Sequence, residues 1–428
     1  MDLPLLPLFP EASRAAGLQR LDGFLPRAGT AYARDRNHDR GAAVVRGNVS
    51  MLSPFLRHRL VSEAEVIAAA VGRHGAAAGK FVEEVGWRSY WKGWLARRPG
   101  VWAAWRQGVA QDLAGLVRNP ALAAAVEAAE AGRTGIDGFD HWAQELARTG
   151  YLHNHARMWF ASIWIFTLNL PWRLGADLFM RRLIDADPAS NTLSWRQVAG
   201  LHSRGKAYAA RAANIHGFTD GRFNPAGQLN ETPEPLDEAP PPPAGPVPRP
   251  YPADPRLPAL LVLTEDDGRP ETLFDGLEMC GAVALDLTPF RAVAGPVAEP
   301  AAAFARDALA DAAARLVAAG GPAALPVGAP TAEALAATLI DDARAAGARQ
   351  IVLPHPAAGH AAMVVDRLIP RLQAAGLHLA TRLRRWDAAT AAGASHGYFR
   401  FRKGLPPLVE LALSGGAEEL CLTNESRR

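Results

Sequence analysis

The spacing of apolar and polar positions divides the chain into two halves. Residues 1–228 carry apolar residues three and four positions apart, which predicts helices with little strand between them. Ser62 and Glu65 stand at capping-box spacing before one such run. The same period continues in the segments QDLAGLV, ALAAAVEAAEAG and FDHWAQELARTG. The first half is therefore predicted to be an all-helical domain.

The second half has short apolar runs that alternate with Ala-rich segments. Its predicted strands are ALLVLTEDD (259–267), VALDLT (283–288) and QIVLPH (350–355), and its predicted helices cover 300–319, 331–346 and 359–375. Strands that alternate with helices favour a parallel sheet. The pattern predicts an α/β domain over 259–412, followed by a C-terminal tail over 413–428.

The segment between the two halves is rich in proline. Residues 229–258 include the run APPPPAGPVPRPYP, which predicts an extended, semi-rigid connector. A length of 428 residues also favours about two or three domains. The predicted fold class is a multi-domain α + α/β chain, with a helical domain, a Pro-rich linker and a smaller α/β domain with a parallel sheet.

Composition narrows the class of protein. With 49% hydrophobic and 21% charged residues, and no apolar run of about 18 positions, the sequence predicts a globular protein without a membrane partner. The start of the chain lacks the features of a secretory signal, so we expect a cytoplasmic location. Cys280 and Cys421 are the only cysteines, which disfavours a disulfide framework or a thiolate zinc site. A net charge of +3 permits a polyanionic partner without requiring one.

Tryptophan is concentrated in the helical half. Ten of the eleven tryptophans lie between Trp87 and Trp195, which core packing alone rarely produces. In FVEEVGWRSYWKGW (81–94), Glu84, Trp87 and Trp91 fall at helical spacing, so a carboxylate and two indoles share a face. Such a face suits the binding of a base, but a core stripe with polar ends has the same pattern.

Two further stretches carry polar groups at helix starts. In VSMLSPFL (49–56), Ser50 and Ser53 precede or open a helix, where they serve either as caps or as phosphate ligands. In GYLHNHARMWFASIWIF (150–166), the two histidines stand two positions apart and do not share a helix face, so no metal site is predicted. A buried Arg157 requires a carboxylate, and Asp185 of DADPASNTLSW (185–195) is the candidate.

These motifs, together with YARDRN (32–37), stand in the order and spacing of the photolyase and cryptochrome family. Residues 20 to 228 resemble its FAD-binding helical domain. The resemblance implies FAD as the cofactor, with phosphate contacts in the first motifs, an Arg157–Asp185 pair, Asp187 near the ribityl chain and Asn191 facing flavin N5. The implied cofactor-binding residues are Tyr32, Ser50, Leu52, Ser53, Arg88, Asn154, Arg157, Asp185, Asp187 and Asn191.

The same resemblance implies an electron-transfer chain. Trp195 matches the indole nearest the isoalloxazine, and Trp172 matches the middle member. No tryptophan stands near Asn119, where the third donor is expected, and Trp159, Trp164 and Tyr208 are alternatives. The implied catalytic residues are Trp195, Trp172, Asn191 and Glu84.

On the substrate side, the family binds a flipped pyrimidine dimer. The matching residues are Glu84, Trp87, Asn154, His155, Met158 and Gln197; His155 replaces an arginine and Gln197 replaces an indole. The resemblance implies a lyase that splits cyclobutane dimers in ultraviolet-damaged DNA with an electron from reduced FAD. Two alternatives are a cryptochrome-like photoreceptor with a signalling partner, and a helical scaffold without FAD.

The order of the domains differs from the family. There an α/β antenna domain precedes the helical domain, whereas here the α/β domain follows it. This domain has no GxGxxG fingerprint, and no antenna chromophore is assigned to it. We interpret FRFRK (399–403) as a solvated basic strand or turn in preference to a DNA contact.

Overall fold

The first half of the chain is helical, as the sequence predicts. A computed structural model describes residues 8–41 and 46–421. The helices of this half are α1 (Arg14–Phe24), α2 (Thr30–Asp35), α3 (Ser53–Arg57), α4 (Glu63–His74), α5 (Gly79–Ala96), α6 (Gly100–Arg118), α7 (Pro120–Glu130), α8 (Phe139–Thr149), α9 (Asn154–Ser162), α10 (Trp172–Arg182), α11 (Pro188–Val198) and α12 (Ala212–Phe218). In the part of the chain that the structure describes, no helix combines the length and apolar content of a membrane span.

Local sequence explains where the site helices begin. The predicted capping box at α4 is complete, because Ser62 and Glu65 bond to each other's backbone N–H groups. Helix α11 begins at Pro188, and Asp187 caps it by accepting a hydrogen bond of 2.8 Å from the backbone N–H of Ser190. These caps place the residues that flank each helix start at fixed positions.

The second half is built on a five-stranded parallel sheet, which confirms the predicted fold class. Its order is β3-β2-β1-β4-β5. The strands and the helices that connect them are β1 (Ala259–Thr264), β2 (Met279–Leu285), α13 (Glu299–Ala318), β3 (Ala324–Val327), α14 (Ala332–Ala345), β4 (Gln350–Pro354), α15 (His360–Ala374) and β5 (His378–Arg382). The sequence pattern missed β3 and β5, because β3 is short and partly exposed and β5 has polar ends.

The Pro-rich segment carries no helix or strand, and it binds to both halves of the molecule. The backbone N–H of Gly245 donates to the Arg97 carbonyl at 2.8 Å, and Arg98 donates from Nε to the Pro242 carbonyl at 3.1 Å. Farther along, Tyr251 and Thr381 exchange two hydrogen bonds. The segment therefore lies along the protein surface between the halves.

The last helices leave the sheet and join the core of the helical half. They are α16 (Arg385–Gly393), α17 (Tyr398–Lys403) and α18 (Leu405–Leu413). Buried Trp386, Tyr398 and Phe401 belong to the same hydrophobic cluster as the helical half. The interpretation of FRFRK as a strand or turn is wrong, because burial of Phe401 against α5 favours a helix there. The domain boundaries at 228, 258 and 412 stay predictions.

Helix α3 and the turn after it contact the sheet where its strand order reverses. Arg57 Nη1 lies 2.5 Å from Asp266 Oδ1, and Arg59 Nη1 lies 3.0 Å from Asp267 Oδ2. Both acids lie just after β1. From β1 the chain continues to β2 and β3 on one side of the sheet, and then to β4 and β5 on the other side. Open α/β sheets bind ligands in this crevice. Here arginines of the helical half contact it.

Candidate functional site

One cavity of about 670 Å³ in the helical half brings the predicted residues together. All of the cofactor-binding and substrate-binding residues implied by the family resemblance line it, as does Trp195. These residues come from helices α2, α5, α9 and α11, from the start of α3 and the loop before it, and from the loop between α10 and α11. Trp172 does not line this cavity, and lies instead beside a second one of about 380 Å³. The roles of the cavity-lining residues as ligands of a cofactor or substrate stay predictions.

Helix α5 forms one wall of the cavity. Glu84 makes ion pairs with Arg36 at 3.1 Å and with Lys80 at 3.2 Å. The indole of Trp87 stacks on the ring of Tyr398, with centroids 3.4 Å apart and planes 10° apart. Sequence reasoning missed Tyr398, since its motif is far from Trp87 along the chain and no local pattern links the two.

An ion pair between α9 and the loop before α11 also lines the cavity. Arg157 Nη2 lies 2.8 Å from Asp185 Oδ2, which confirms the pair predicted from burial. Burial acts to raise the pKa of Asp185, but the charge and hydrogen bond of Arg157 outweigh it and the pKa is lowered. Asp185 is therefore an anion that lines the cavity.

A second acid beside the cavity is held by arginine as well. Arg88 Nη2 lies 3.3 Å from Asp187 Oδ2, and its Nε lies 3.1 Å from Glu63 Oε1. Burial acts to raise the pKa of Asp187, but the charges of Arg88 and Arg57 lower it. Asp187 thus combines two tasks, as the cap of α11 and as a fixed negative charge in the cavity wall.

Asn191 and Trp195 lie one turn apart on α11. The Asn191 side chain donates from Nδ2 to the Ala176 carbonyl at 2.8 Å. Trp195 packs edge-on against Phe179 and Trp164, with centroids 5.2 Å and 6.4 Å away. A Cβ atom at Gly175 would lie 2.3 Å from Cη2 of Trp195, so only glycine fits at that point of α10.

The alternatives for a third electron donor occupy different places. Trp164 is buried and contacts Trp195. Trp159 is buried and stacks between His155 and Trp142, with centroids 4.4 Å and 5.4 Å away. Tyr208 is partly buried against the same core. None of the three combines the surface position expected of a terminal donor with a ring contact to Trp172.

His153, which caps α9, and His155, in the first turn of α9, hold the loop after α2. His153 donates from Nε2 to the Arg36 carbonyl at 3.0 Å, and His155 Nδ1 lies 3.0 Å from the Asn37 carbonyl. Burial lowers the pKa of His153 to about 4. A neutral His153 therefore supports the wall of the cavity that carries Arg36 and Asn37.

We expect acid to destabilise the fold before the site carboxylates titrate. Burial lowers the pKa of His58 to about 3, and the pKa values of His153 and His202 to about 4. The unfolded chain binds protons at these histidines below about pH 6.5 and the folded chain does not, so stability falls as the pH drops through that window. For three protons, the free energy of unfolding falls by at most about 4 kcal/mol per pH unit. Denaturant unfolding at pH 7 and pH 5 measures it.

The matched variant is His202→Gln, which removes one of the three protons. Its unfolding free energy should depend on pH less steeply than that of the parent, by about 1.4 kcal/mol per pH unit at most. Equal slopes for the two proteins would contradict the assignment of His202 as a buried neutral group.

The polar atoms of the cavity fit a bound flavin dinucleotide. Among the described residues, Asp185 Oδ1, Ser190 Oγ and Trp195 Nε1 are buried without a hydrogen-bond partner. Buried polar atoms are normally paired, so these three point to a polar ligand beside them. FAD offers hydroxyl and imide donors for the carboxylate and acceptors for the indole N–H. The residues present therefore fit this cofactor.

Comparisons with known proteins agree with the cavity. Residues 81–230 match the family model described as the FAD binding domain of DNA photolyase. A deoxyribodipyrimidine photo-lyase of Streptomyces griseus is 31% identical over 185 residues, which cover 40% of this chain and 38% of the relative. That of Thermus thermophilus is 32% identical over 204 residues, 46% of this chain and 45% of the relative. Cryptochrome-1 of Arabidopsis thaliana is 39% identical over 97 residues, 23% of this chain and 14% of the relative.

The similarity is confined to part of each protein. The chain spans less than half the length of the curated photolyases just described. A solved bacterial class III photolyase from Agrobacterium tumefaciens aligns over 48% of this chain and 42% of its own, with 25% identity and a TM-score of 0.36. The family model covers the cavity residues from Glu84 to Gln197, whereas the cavity residues Tyr32, Ser50, Leu52 and Ser53 precede its first matched residue. Over its helical half, this chain resembles the photolyase and cryptochrome family, and residues 81–230 match that family's FAD-binding domain.

Proposed function

We propose that this chain is a blue-light-driven FAD flavoprotein that splits cyclobutane pyrimidine dimers in ultraviolet-damaged DNA. The observation that carries the proposal is the shared cavity: the residues that match the family's dimer contacts line the same space as those that match its flavin contacts. Electron transfer between two bound groups requires this proximity. The relatives named deoxyribodipyrimidine photo-lyase support the same reaction class.

The protein's part in this chemistry would be to bind the flavin, to orient it and to tune its electronic properties. Bound FAD would supply light absorption and electron transfer. Arg157 and Arg88 would keep the negative charges of Asp185 and Asp187 in place beside it. Asn191 would present its amide, and Trp195 would bring an indole into the cavity wall. The paired charges keep the site close to neutral before the reaction.

The substrate side would receive two linked pyrimidines of one strand, flipped out of the duplex. Enzymes that act on a base take it out of the stack and bind its edge by hydrogen bonds. Glu84 and Asn154 supply an acceptor and an amide for such an edge, and Met158 supplies an apolar wall. Arg36 and Lys80 also line the cavity, where their cations favour the approach of phosphates.

A second candidate function is blue-light photoreception without repair. Two observations favour it: Tyr398 already covers one face of the Trp87 indole, and Gln197 stands where the family has a second indole. Both reduce the aromatic surface available to a flipped dimer. A photoreceptor would pass its signal to a partner protein.

One experiment separates these functions. The purified protein, loaded with FAD and reduced by light in the presence of a thiol, is mixed with ultraviolet-irradiated oligothymidine and exposed to blue light, with a dark sample as control. The proposal expects light-dependent loss of dimers. Intact dimers together with normal light-driven reduction would favour the photoreceptor, and a protein that binds no FAD would contradict both functions.

Replacing Tyr398 by alanine should expose the face of Trp87 that it covers. Base stacking on an aromatic side chain contributes about 1–3 kcal/mol, so we expect irradiated oligothymidine to bind about tenfold more tightly. Phe399→Ala is the control, since Phe399 is the next residue of α17 and is 79% exposed. Weaker binding by Tyr398→Ala, with FAD retained, would instead make Tyr398 part of the DNA site.

A further inference from the structure

A carboxylate of the Pro-rich segment binds the indole that matches the middle electron donor. Trp172 is buried at 3% exposure, and its Nε1 donates to Glu238 Oε1 at 2.9 Å. Glu238 belongs to the segment that carries no helix or strand, yet it contacts the start of α10. The contact thus joins a surface segment to a buried redox-active side chain.

The indole is surrounded by charge of both signs. The guanidinium carbons of Arg173 and Arg196 lie 5.2 Å and 6.0 Å from the ring centre of Trp172. Glu238 pairs with both arginines, at 2.5 Å and 3.3 Å, and Asp112 lies 3.9 Å from Arg173. Two cations at this distance oppose any positive charge on the ring. Glu238 is the acid that touches the indole itself.

We infer that Glu238 is a positioning residue that stabilises the positive charge on Trp172 after Trp172 gives an electron to oxidised Trp195. The inference rests on the proposed light-driven function. One electron moves from Trp172 to Trp195, which returns to its neutral state. The proton stays on Trp172 Nε1, within its hydrogen bond to Glu238. A thiol reductant from solution later returns the electron to Trp172.

The place of Glu238 suits a residue near the end of the electron path. The sequence has no tryptophan between Trp105 and Trp142, where the third donor of the family is expected. Glu238 lines the second cavity together with Trp172 and is itself 24% exposed. Positive charge that reaches Trp172 is therefore held beside a solvent-accessible cavity, where a small reductant can approach.

The test compares Glu238→Gln with Asp237→Asn. The glutamine keeps the size and the oxygen acceptor but removes the charge, whereas Asp237 is the adjacent acid, 92% exposed and paired with Arg204. Flash illumination of the FAD-loaded proteins measures the yield and lifetime of the tryptophan radical cation. We expect Glu238→Gln to lower the yield about tenfold, as loss of a charge at contact distance implies, and Asp237→Asn to leave it unchanged.

A dark measurement provides a second readout. The ¹⁵N–¹H resonance of the Trp172 indole should shift in Glu238→Gln and stay in place in Asp237→Asn. A shifted resonance with an unchanged radical yield would overturn the inference. If Glu238→Gln does not fold, Glu238→Asp takes its place in the test. It keeps the negative charge on a shorter side chain and should lower the radical yield less than tenfold. If the parent protein binds FAD but forms no tryptophan radical, the inference is overturned, whereas light-dependent loss of dimers in the same protein would still support the proposed function.

Discussion

Arg157→Ala is expected to yield a protein that retains little or no FAD. The substitution leaves Asp185 buried and unpaired beside the cavity, and breaking a buried pair in this way costs about 3–5 kcal/mol. The cost appears as a lower unfolding free energy and as loss of the cofactor, because the wall that carries Asp185 is no longer held. Absorbance of the purified protein and denaturant unfolding measure the two effects.

Two further variants make the result specific. Arg148→Ala removes an exposed arginine of α8 and should leave FAD retention and stability unchanged. Adding Asp185→Asn to Arg157→Ala removes the unpaired charge, so it should restore part of the stability without restoring FAD. Normal FAD retention in Arg157→Ala would contradict the role of this pair in the site.

Trp195→Phe is expected to slow the light-driven reduction of bound FAD by about a hundredfold or more. Trp195 is the tryptophan of α11 that lines the cavity, and phenylalanine fills most of its space while being a much poorer electron donor. FAD retention should change little, since the charged residues of the site are untouched. The decay of flavin absorbance under blue light with a thiol reductant measures the rate.

The control for this variant is Trp102→Phe. Trp102 is also buried, and among the described residues its Nε1 has no hydrogen-bond partner, as is the case for Trp195. It lines neither of the two cavities described above, so its loss should leave the reduction rate unchanged. A normal rate in Trp195→Phe would mean that the electron enters by another route, with Trp164 as the neighbouring indole.

Much of the fold follows from local sequence. The helices Glu63–His74, Pro120–Glu130 and Phe139–Thr149 and three of the five strands lie where the local pattern predicts them, and the Ser62–Glu65 capping box forms as predicted. The same holds for one contact in the site: a buried arginine requires an acid, and the nearest suitable motif supplied Asp185. These features depend on neighbours within a few turns of the chain or on a simple charge requirement.

Other parts of the site depend on contacts that no spacing rule contains. Tyr398 reaches Trp87 because the helices after the sheet dock on α5, and Glu238 reaches Trp172 because the Pro-rich segment lies along the helical half. Arg57 meets Asp266 because helix α3 docks at the centre of the sheet. Each contact joins residues whose local sequences are unrelated.

The sequence by itself determined the helical and α/β character of the two halves, the motifs of the cavity and the Arg157–Asp185 pair. Only the tertiary structure decided which side chains from the second half complete the site and which indoles come into contact. The physical reason is range. Periodicity and caps act between residues that are close together in the sequence, and a buried charge requires only one partner of opposite sign. Docking of whole elements depends instead on the summed shape and burial of faces that are distant along the chain.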